Sequence, residues 1–435
     1  MTSALFTDFY ELTMMAGYAA AGLADATATF DLFFRHPPGG IKQVVLAGVE
    51  QAVDDLAELR FSEDDVEYIA NLDRFSEEFL DQLRPLAFTC DVWAIPEGTP
   101  VFGNEPLMRV TGPLLQGQWV ETLLINRIAY ASLVASHALA VVTAARGKPV
   151  LEFGARRAHG PDGSLTATRA AMIGGCASTS NTEAARRFGL QAAGTQAHSW
   201  IMAFPSELDA FRSYAETFPE SCVLLVDTYD TLAQGIPNAI TVARELAARG
   251  YRMQGVRLDS GDLVELSRGA RAQLDATGFN DVNIIASGDL DATIIDELET
   301  AGAPIDAYGV GTAMVTARSD PTFSGVYKVA EVKGRPTLKL SGSPAKTSNP
   351  GRKQVWRTAA GDIVGLHDEQ HDGERLLRPA LRGGERVAPA ESVQDIAQRC
   401  REGIEALGSN GHRQAVRLSD RLAALRTELI SQLRT

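Results

Sequence analysis

Apolar and polar positions alternate with changing periods along the chain, and the changes mark out its parts. Residues from about 5 to 25, beginning Leu5-Phe6-Thr7-Asp8-Phe9-Tyr10-Glu11-Leu12, carry the helical spacing of an amphipathic segment that ends near Gly22. Thr27-Ala28-Thr29-Phe30-Asp31-Leu32-Phe33-Phe34 is rich in strand formers. The stretch from Ser62 to Leu83 is charged and helical in period, a solvated face. From Cys90 to Gly112 short apolar runs alternate with Pro and Gly, the pattern of a small antiparallel sheet. Two helices are expected between roughly Gln116 and Arg146.

Beyond this point the texture changes. Short apolar runs recur, each followed by a turn and a helix-like segment: Val150–Phe153, Leu190–Ala193, Val223–Val226, Gly255–Leu258, Asn283–Ala286 and Ala307–Val310. Runs with so little alternation fit parallel strands covered on both faces. Repeated βα units imply a βα barrel or a doubly wound sheet. Polar residues cluster directly after almost every run, where barrel enzymes carry their chemistry, and this favours the barrel. After Val329 short β runs return, as in Lys339–Pro344, and a helix from about Ser419 to Leu433 closes the chain. The expected fold is therefore α/β: an irregular βα barrel with a smaller α+β domain built from the N- and C-terminal segments. The expected division is residues 1–125, 126–328 and 329–435.

Composition narrows the function. The 435 residues exceed what one core usually serves. With 45% hydrophobic and 22% charged residues, the chain is an ordinary globular one. Its formal net charge of −14 argues against nucleic acid or an anionic membrane as partner. Any phosphate must then be held by a local site of arginines and backbone N–H groups. Cys90, Cys176, Cys222 and Cys400 form no Cys-x-x-Cys pair, so neither a disulfide framework nor a zinc site is expected. The N-terminus lacks the pattern of a signal peptide. The alanine-rich run Ile128–Ala145 carries Ser132, Ser136 and His137 and reads as a buried helix rather than a membrane span. Together these features point to the cytoplasm.

Four constellations carry candidate chemistry. In Glu152-Phe153-Gly154-Ala155-Arg156-Arg157, a strand ends in glycine and presents two arginines, whose planar forks suit phosphate or carboxylate. In Gly194-Thr195-Gln196-Ala197-His198, a histidine follows a small-residue turn. It could exchange protons or accept a phosphoryl group, although a lone histidine is more often structural. Asp227 and Asp230 follow the next strand, which could bring one of them to His198; Asp230 reads better as a helix cap. Arg257 and Asp259 share a strand face by the two-residue period, with Asp262 as a further cap. Last come two glycine turns, Ser287-Gly288-Asp289 and Gly309-Val310-Gly311-Thr312. They occupy the late loops where barrel enzymes usually bind phosphate.

With these motifs assembled, the chain resembles the nicotinate phosphoribosyltransferases over nearly its whole length. The carrying segments are Thr7–Met14, Glu152–Ala158, Gly194–Ser199, Arg257–Asp262, Gly309–Thr312 and Gly325–Lys328. The resemblance implies a type II phosphoribosyltransferase with a TIM-like barrel. Such an enzyme joins nicotinate to the ribose of 5-phosphoribosyl diphosphate and couples this to ATP hydrolysis through a phosphohistidine. It implies that His198 is the phosphorylated residue and that Asp227 supports it. It further implies that Tyr10, Thr195 and Arg257 contact nicotinate, and that Arg156 and Asp259 hold the phosphate and ribose ends of the nucleotide. Ser287, Gly288, Gly311 and Thr312 would bind the substrate at the late loops, the glycines and Thr312 receiving the 5-phosphate. Magnesium would accompany ATP and phosphoribosyl diphosphate, with no organic prosthetic group and no metal ligand assigned in the chain. The resemblance also implies a homodimer in which Tyr10 can complete a neighbouring site.

Competing readings remain at this stage. A nicotinamide phosphoribosyltransferase shares the fold and histidine but carries an aspartate in the loop after the arginine-bearing strand. Here that stretch, Gly174–Ser180, holds no carboxylate, and Asp at Ala177 or Ser178 is the expected way to shift preference towards the amide. A quinolinate enzyme would be a shorter chain rich in basic residues. A sugar-phosphate barrel enzyme using a Schiff-base lysine finds none between Lys148 and Lys328. A non-catalytic binding protein leaves His198 and Asp227 unexplained.

Overall fold

The structure is a computed structural model, described here for residues 2–342, 346–408 and 415–434. The chain divides into two compact units, Met1–Leu133 with Thr322–Thr435, and Val134–Pro321.

The first unit is built on a seven-stranded sheet whose order interleaves early and late segments. Arg335–Pro336, Gly325–Val332, Thr27–Phe34, Met108–Pro113, Asp91–Ala94, Arg378–Arg382 and Glu385–Arg386 follow one another, each antiparallel to its neighbour. The C-terminal segment thus completes the sheet that the N-terminal segment begins. Thr27–Phe34 is buried almost throughout because both of its faces are covered. Phe30, Leu32 and Phe34 point to the apolar core, where Phe30 stacks on Tyr327 at 5.1 Å. Burial of each such side chain contributes roughly 1.5–3 kcal/mol. Asp31 points the other way and pairs with Lys353 at 2.6 Å. A second sheet of four strands, Glu374–Arg375, Lys353–Thr358, Gly361–Leu366 and Val416–Leu418, is made from the C-terminal segment alone.

Several boundaries differ from the sequence expectation. The first helix runs from Phe9 to Ala20 rather than over 5–25, because Asp8 and Glu11 form a capping box that fixes its start. The charged stretch is two short helices, Glu63–Ala70 and Glu77–Leu83, each begun by a serine cap. Lys339–Gly342 forms no strand, and Ser343 and Pro344 lie outside the described residues. The helix Val393–Leu407 was not anticipated.

The second unit is a six-stranded, wholly parallel sheet ordered Ser178–Thr179, Val150–Glu152, Ala307–Val310, Asn283–Ala286, Gly255–Leu258 and Val223–Leu225. Each strand is followed by a helix, the longer ones Gly160–Ile173, Ile236–Ala248, Leu263–Ala276 and Ala292–Thr300. Leu224, Val256, Leu258 and Ile284 pack against Ile201, Phe211, Ile236 and Leu274 in one core. The expected strand Leu190–Ala193 forms only a single bridge, Ala192 to Thr179. Gln191 and Ala192 are exposed, so no apolar burial holds this segment as a full strand. Just beyond it, the Gln196 carboxamide donates to the Val223 carbonyl at 3.1 Å. The segment therefore bonds to both edge strands of a sheet curled into a half-barrel, by a bridge on one side and a side chain on the other.

Among the described residues, one helix, Glu121–Ala144, is long and apolar enough to cross a membrane by length and composition. Half of its most apolar window is buried in the protein, and Ser132 Oγ donates to the Ala47 carbonyl.

Candidate active site

The barrel's candidate residues gather at the C-terminal ends of its strands, and a line of hydrogen bonds links them. His198 opens the one-turn helix His198–Met202, with its imidazole partly exposed. Its Nε2 lies 3.2 Å from Asp227 Oδ1, just past the end of Val223–Leu225. The Asp227 side chain is almost fully buried, so its oxygens need hydrogen-bond partners within the protein. Its other oxygen, Oδ2, accepts the Asp259 backbone N–H at 2.9 Å and the Ser260 hydroxyl at 2.7 Å. Asp259 Oδ1 in turn accepts from Ser287 Oγ at 2.6 Å. Carboxylates held this way have fixed orientations before any ligand arrives.

Asp259 and Ser287 also line a cavity of about 350 Å³, together with Phe153, Arg156, Arg157, Gly288, Gly311 and Thr312. Both arginines are exposed and face the cavity from the short turn Ala155–Arg157. At Gly288 φ is +95°, and a Cβ would lie 1.9 Å from the Asp259 carbonyl, so only glycine fits. At Gly311 a Cβ would lie 2.8 Å from the Phe153 carbonyl. These glycines let backbone approach the cavity closely, which is what a phosphate site needs.

Arg257 is largely buried and donates to Thr195 Oγ1 at 2.7 Å, with Asp259 4.0 Å away. Burial lowers its pKa, and the carboxylates of Asp259 and Asp227 oppose that shift. Its Nε–H is buried with no hydrogen-bond partner among the described residues. Asp230 and Asp262 serve as helix caps, as their positions suggest: Asp230 accepts from Ala233 N, and Asp262 from Val264 N and Glu265 N.

Tyr10 belongs to the other unit. It is the second residue of the Phe9–Ala20 helix and is 46% exposed. The stretch compared with the nicotinamide enzymes is resolved further by the strand Ser178–Thr179. Ala177 precedes that strand and Ser178 is buried in it, whereas Ser180 follows its C-terminal end. Ser180, not Ala177 or Ser178, is thus on the face where the other site residues gather.

Sequence reasoning passed over two residues that order the site. Ser260 lies inside the Arg257–Asp262 motif, but in a turn, where no periodicity reports a side chain's direction. Glu152 is fully buried and accepts from Gly154 N, from Thr168 Oγ1 at 3.0 Å and from Thr179 Oγ1 at 2.6 Å. It ties the arginine-bearing turn to the neighbouring strand. A carboxylate in an otherwise apolar run was the available signal.

Fold and site together define a βα-barrel enzyme with a histidine–carboxylate pair beside an arginine- and glycine-lined cavity. Residues 5–129 match the N-terminal domain of nicotinate phosphoribosyltransferase, and residues 149–381 match the nicotinate phosphoribosyltransferase family. The chain is 43% identical to nicotinate phosphoribosyltransferase pncB2 of Mycobacterium tuberculosis, over 96% of this chain and 92% of that one. It is 42% identical to the Bacillus subtilis nicotinate phosphoribosyltransferase, over 86% and 78%. The crystal structure of the human nicotinic acid phosphoribosyltransferase superposes with a TM-score of 0.85 at 31% identity, covering 98% of this chain and all of that one. The chain belongs to the nicotinate phosphoribosyltransferase family.

Proposed function

We propose that this enzyme transfers the phosphoribosyl group of 5-phosphoribosyl diphosphate to nicotinate in NAD salvage, and that ATP drives the transfer through a phosphohistidine at His198. The observation that carries the reading is the unbroken hydrogen-bonded line from His198 through Asp227 and Asp259 to Ser287, ending in the arginine- and glycine-lined cavity.

In the phosphorylation step, the lone pair of a His198 ring nitrogen attacks the γ-phosphorus of ATP. The bond from phosphorus to the bridging oxygen breaks, and ADP leaves with that electron pair. Asp227 steadies the imidazole and its growing positive charge. In the transfer step, the bond from ribose C1 to diphosphate breaks with oxocarbenium character, and the ring nitrogen of nicotinate forms the new bond to C1. Arg156 and the turns at Gly288, Gly311 and Thr312 offer donors to phosphate, while Asp259 and Ser287 face the ribose hydroxyls. Preorganised donors of this kind are generally the largest part of catalysis. Water later releases inorganic phosphate from His198.

Arg257, with its unpartnered Nε–H and its neighbour Thr195, suits the carboxylate of nicotinate. Magnesium arrives as the counter-ion of ATP and phosphoribosyl diphosphate. No group of three or more His, Cys, Asp or Glu side chains able to hold a metal occurs among the described residues, so no protein ligand is assigned to it. Phe6, Phe9 and Tyr10 are exposed together near the N-terminus and suit a homodimer contact in which Tyr10 reaches a neighbouring site. The four free, buried cysteines fit a reducing cytoplasm.

The test is an assay of nicotinate, phosphoribosyl diphosphate, ATP and magnesium, together and with each omitted. Nicotinate mononucleotide should form in the complete mixture and fall on omission of ATP. Mononucleotide no higher than in the enzyme-free control would defeat the proposal.

A further inference from the structure

The aromatic residues around His198 divide into those that are engaged and one that is not. Trp200 packs on Phe204 at 4.9 Å and on Tyr214 at 6.1 Å, and its indole N–H donates to the Ala210 carbonyl. Tyr214 continues this cluster to Phe218. Tyr229 differs. It is 59% exposed, and its ring and hydroxyl make no ring contact or hydrogen bond among the described residues.

Its position is constrained at both ends. Asp227, two residues earlier, is bonded to His198, and Asp230, the next residue, caps the following helical turn. Two residues of chain span at most about 7 Å, so Tyr229 stays close to the His198–Asp227 pair. Met202 is 68% exposed and ends the one-turn helix that His198 begins. Four residues of helix rise about 6 Å and return to the same side, so the Met202 thioether lies on the side of the helix that carries His198. An exposed aromatic residue two positions from Asp227 and an exposed thioether on the His198 side of its helix are thus both tied to the pair that ATP must reach. The cavity lined by Arg156, Gly288 and Gly311 lies at the other end of the hydrogen-bonded line.

We propose that Tyr229, with Met202, is the platform on which the adenine of ATP stacks while the γ-phosphate reaches His198. This rests on the phosphohistidine reading above. Bases stack on aromatic faces through their π-systems, and a thioether makes favourable contact with a ring edge or face. The triphosphate then extends from the platform past His198 towards the cavity. An exposed tyrosine engaged only when nucleotide binds explains why its ring has no partner in the protein itself.

The test measures the initial rate of acid-labile, base-stable labelling by γ-labelled ATP in wild type, Tyr229→Ala, Tyr229→Phe, Tyr229→Trp and Met202→Ala, over a range of ATP. Stacking predicts that Tyr229→Ala raises KM for ATP about tenfold while the maximal labelling rate stays within about twofold. The Phe and Trp variants should keep wild-type KM, and Met202→Ala should raise it by a smaller factor. A Tyr229→Ala enzyme labelled with wild-type KM overturns the platform alone. So does a Tyr229→Phe enzyme as impaired as Tyr229→Ala, because the hydroxyl would then be what matters. Wild type that ATP does not label overturns the phosphohistidine reading and the platform with it. Sedimentation of the same variants covers the remaining use of an exposed ring: Tyr229→Ala that loses its oligomeric state with KM for ATP unchanged counts against the platform.

Discussion

At the residue scale, the proposed phosphorylation of His198 rests on how Asp227 is held. Nε2 faces Asp227 Oδ1, so the tautomer this pair favours has its proton on Nε2 and its free lone pair on Nδ1. Phosphate on Nδ1 is the expected product. Asp227 is oriented by two donors, the Asp259 amide and the Ser260 hydroxyl at 2.7 Å. Hydrogen bonds to a charged acceptor contribute about 1.5–3 kcal/mol, and Asp227 would retain one of the two in Ser260→Ala. The variant should therefore label roughly tenfold more slowly, with KM for nicotinate little changed, and Ser260→Thr should restore the rate. Identical labelling rates in Ser260→Ala and wild type would show that Asp227 needs no help from that hydroxyl. Asp227 was legible in the sequence because it follows the apolar strand Val223–Leu225, and His198 because its small-residue turn matches a family motif, although the segment before it forms only a bridge. Ser260 was not, since the direction of a side chain in a turn follows from tertiary contacts.

At the element scale, the apolar strands of the parallel sheet could be read, and the polar one could not. Gly255–Leu258, Asn283–Ala286 and Ala307–Val310 have the same bounds in sequence and structure because most of their residues are apolar and buried, with a turn directly after each. Ser178–Thr179 is a strand of two hydroxyl residues, recognisable only from its neighbour Leu151–Glu152. The helix Val393–Leu407 did carry a signal, Ser392 followed by Asp395, then Val393, Ile396 and Cys400 on one buried face. The Ser178–Thr179 strand moves the specificity test. Ser180 follows its C-terminal end, so Ser180→Asp, which places a carboxylate on the active face, should lower kcat/KM for nicotinate and raise the ratio in favour of nicotinamide. Equal ratios in variant and wild type would remove this strand from the specificity account.

The Phe9–Ala20 helix supplies a pH dependence. Glu11 is fully buried at its start, and burial lifts its carboxyl from 4.5 to about 7, although donors from Thr122 and Asp8 pull the other way. A folded-state pKa raised in this way gives stability that is present below the unfolded value near 4.5 and lost as pH rises through about 7. The thermal midpoint should accordingly fall across that window, and Glu11→Gln should flatten the fall. A wild-type midpoint constant from pH 5 to 8 would contradict it.

At the scale of the whole molecule, the chain returns on itself. Its last third supplies Gly325–Val332 and Arg378–Arg382 to a sheet begun by Thr27–Phe34 and Asp91–Ala94, while the middle of the chain forms the barrel unit. The reversion to short β runs after Val329 announced this return. The separate four-stranded sheet did not announce itself, because Lys353–Thr358 and Gly361–Leu366 are a hairpin whose partners Glu374–Arg375 and Val416–Leu418 are distant and short. A net charge of −14 gives no attractive global field for anions, so the proposed substrate binding rests on Arg156, Arg157, Arg257 and the glycine turns. The account therefore stands on local chemistry at one histidine. Mononucleotide formation from nicotinate and phosphoribosyl diphosphate, measured with and without ATP in wild type and His198→Ala, tests it most directly. The account predicts stimulation by ATP in wild type and equal, low rates with and without ATP in the variant; ATP stimulation that survives in His198→Ala would contradict it.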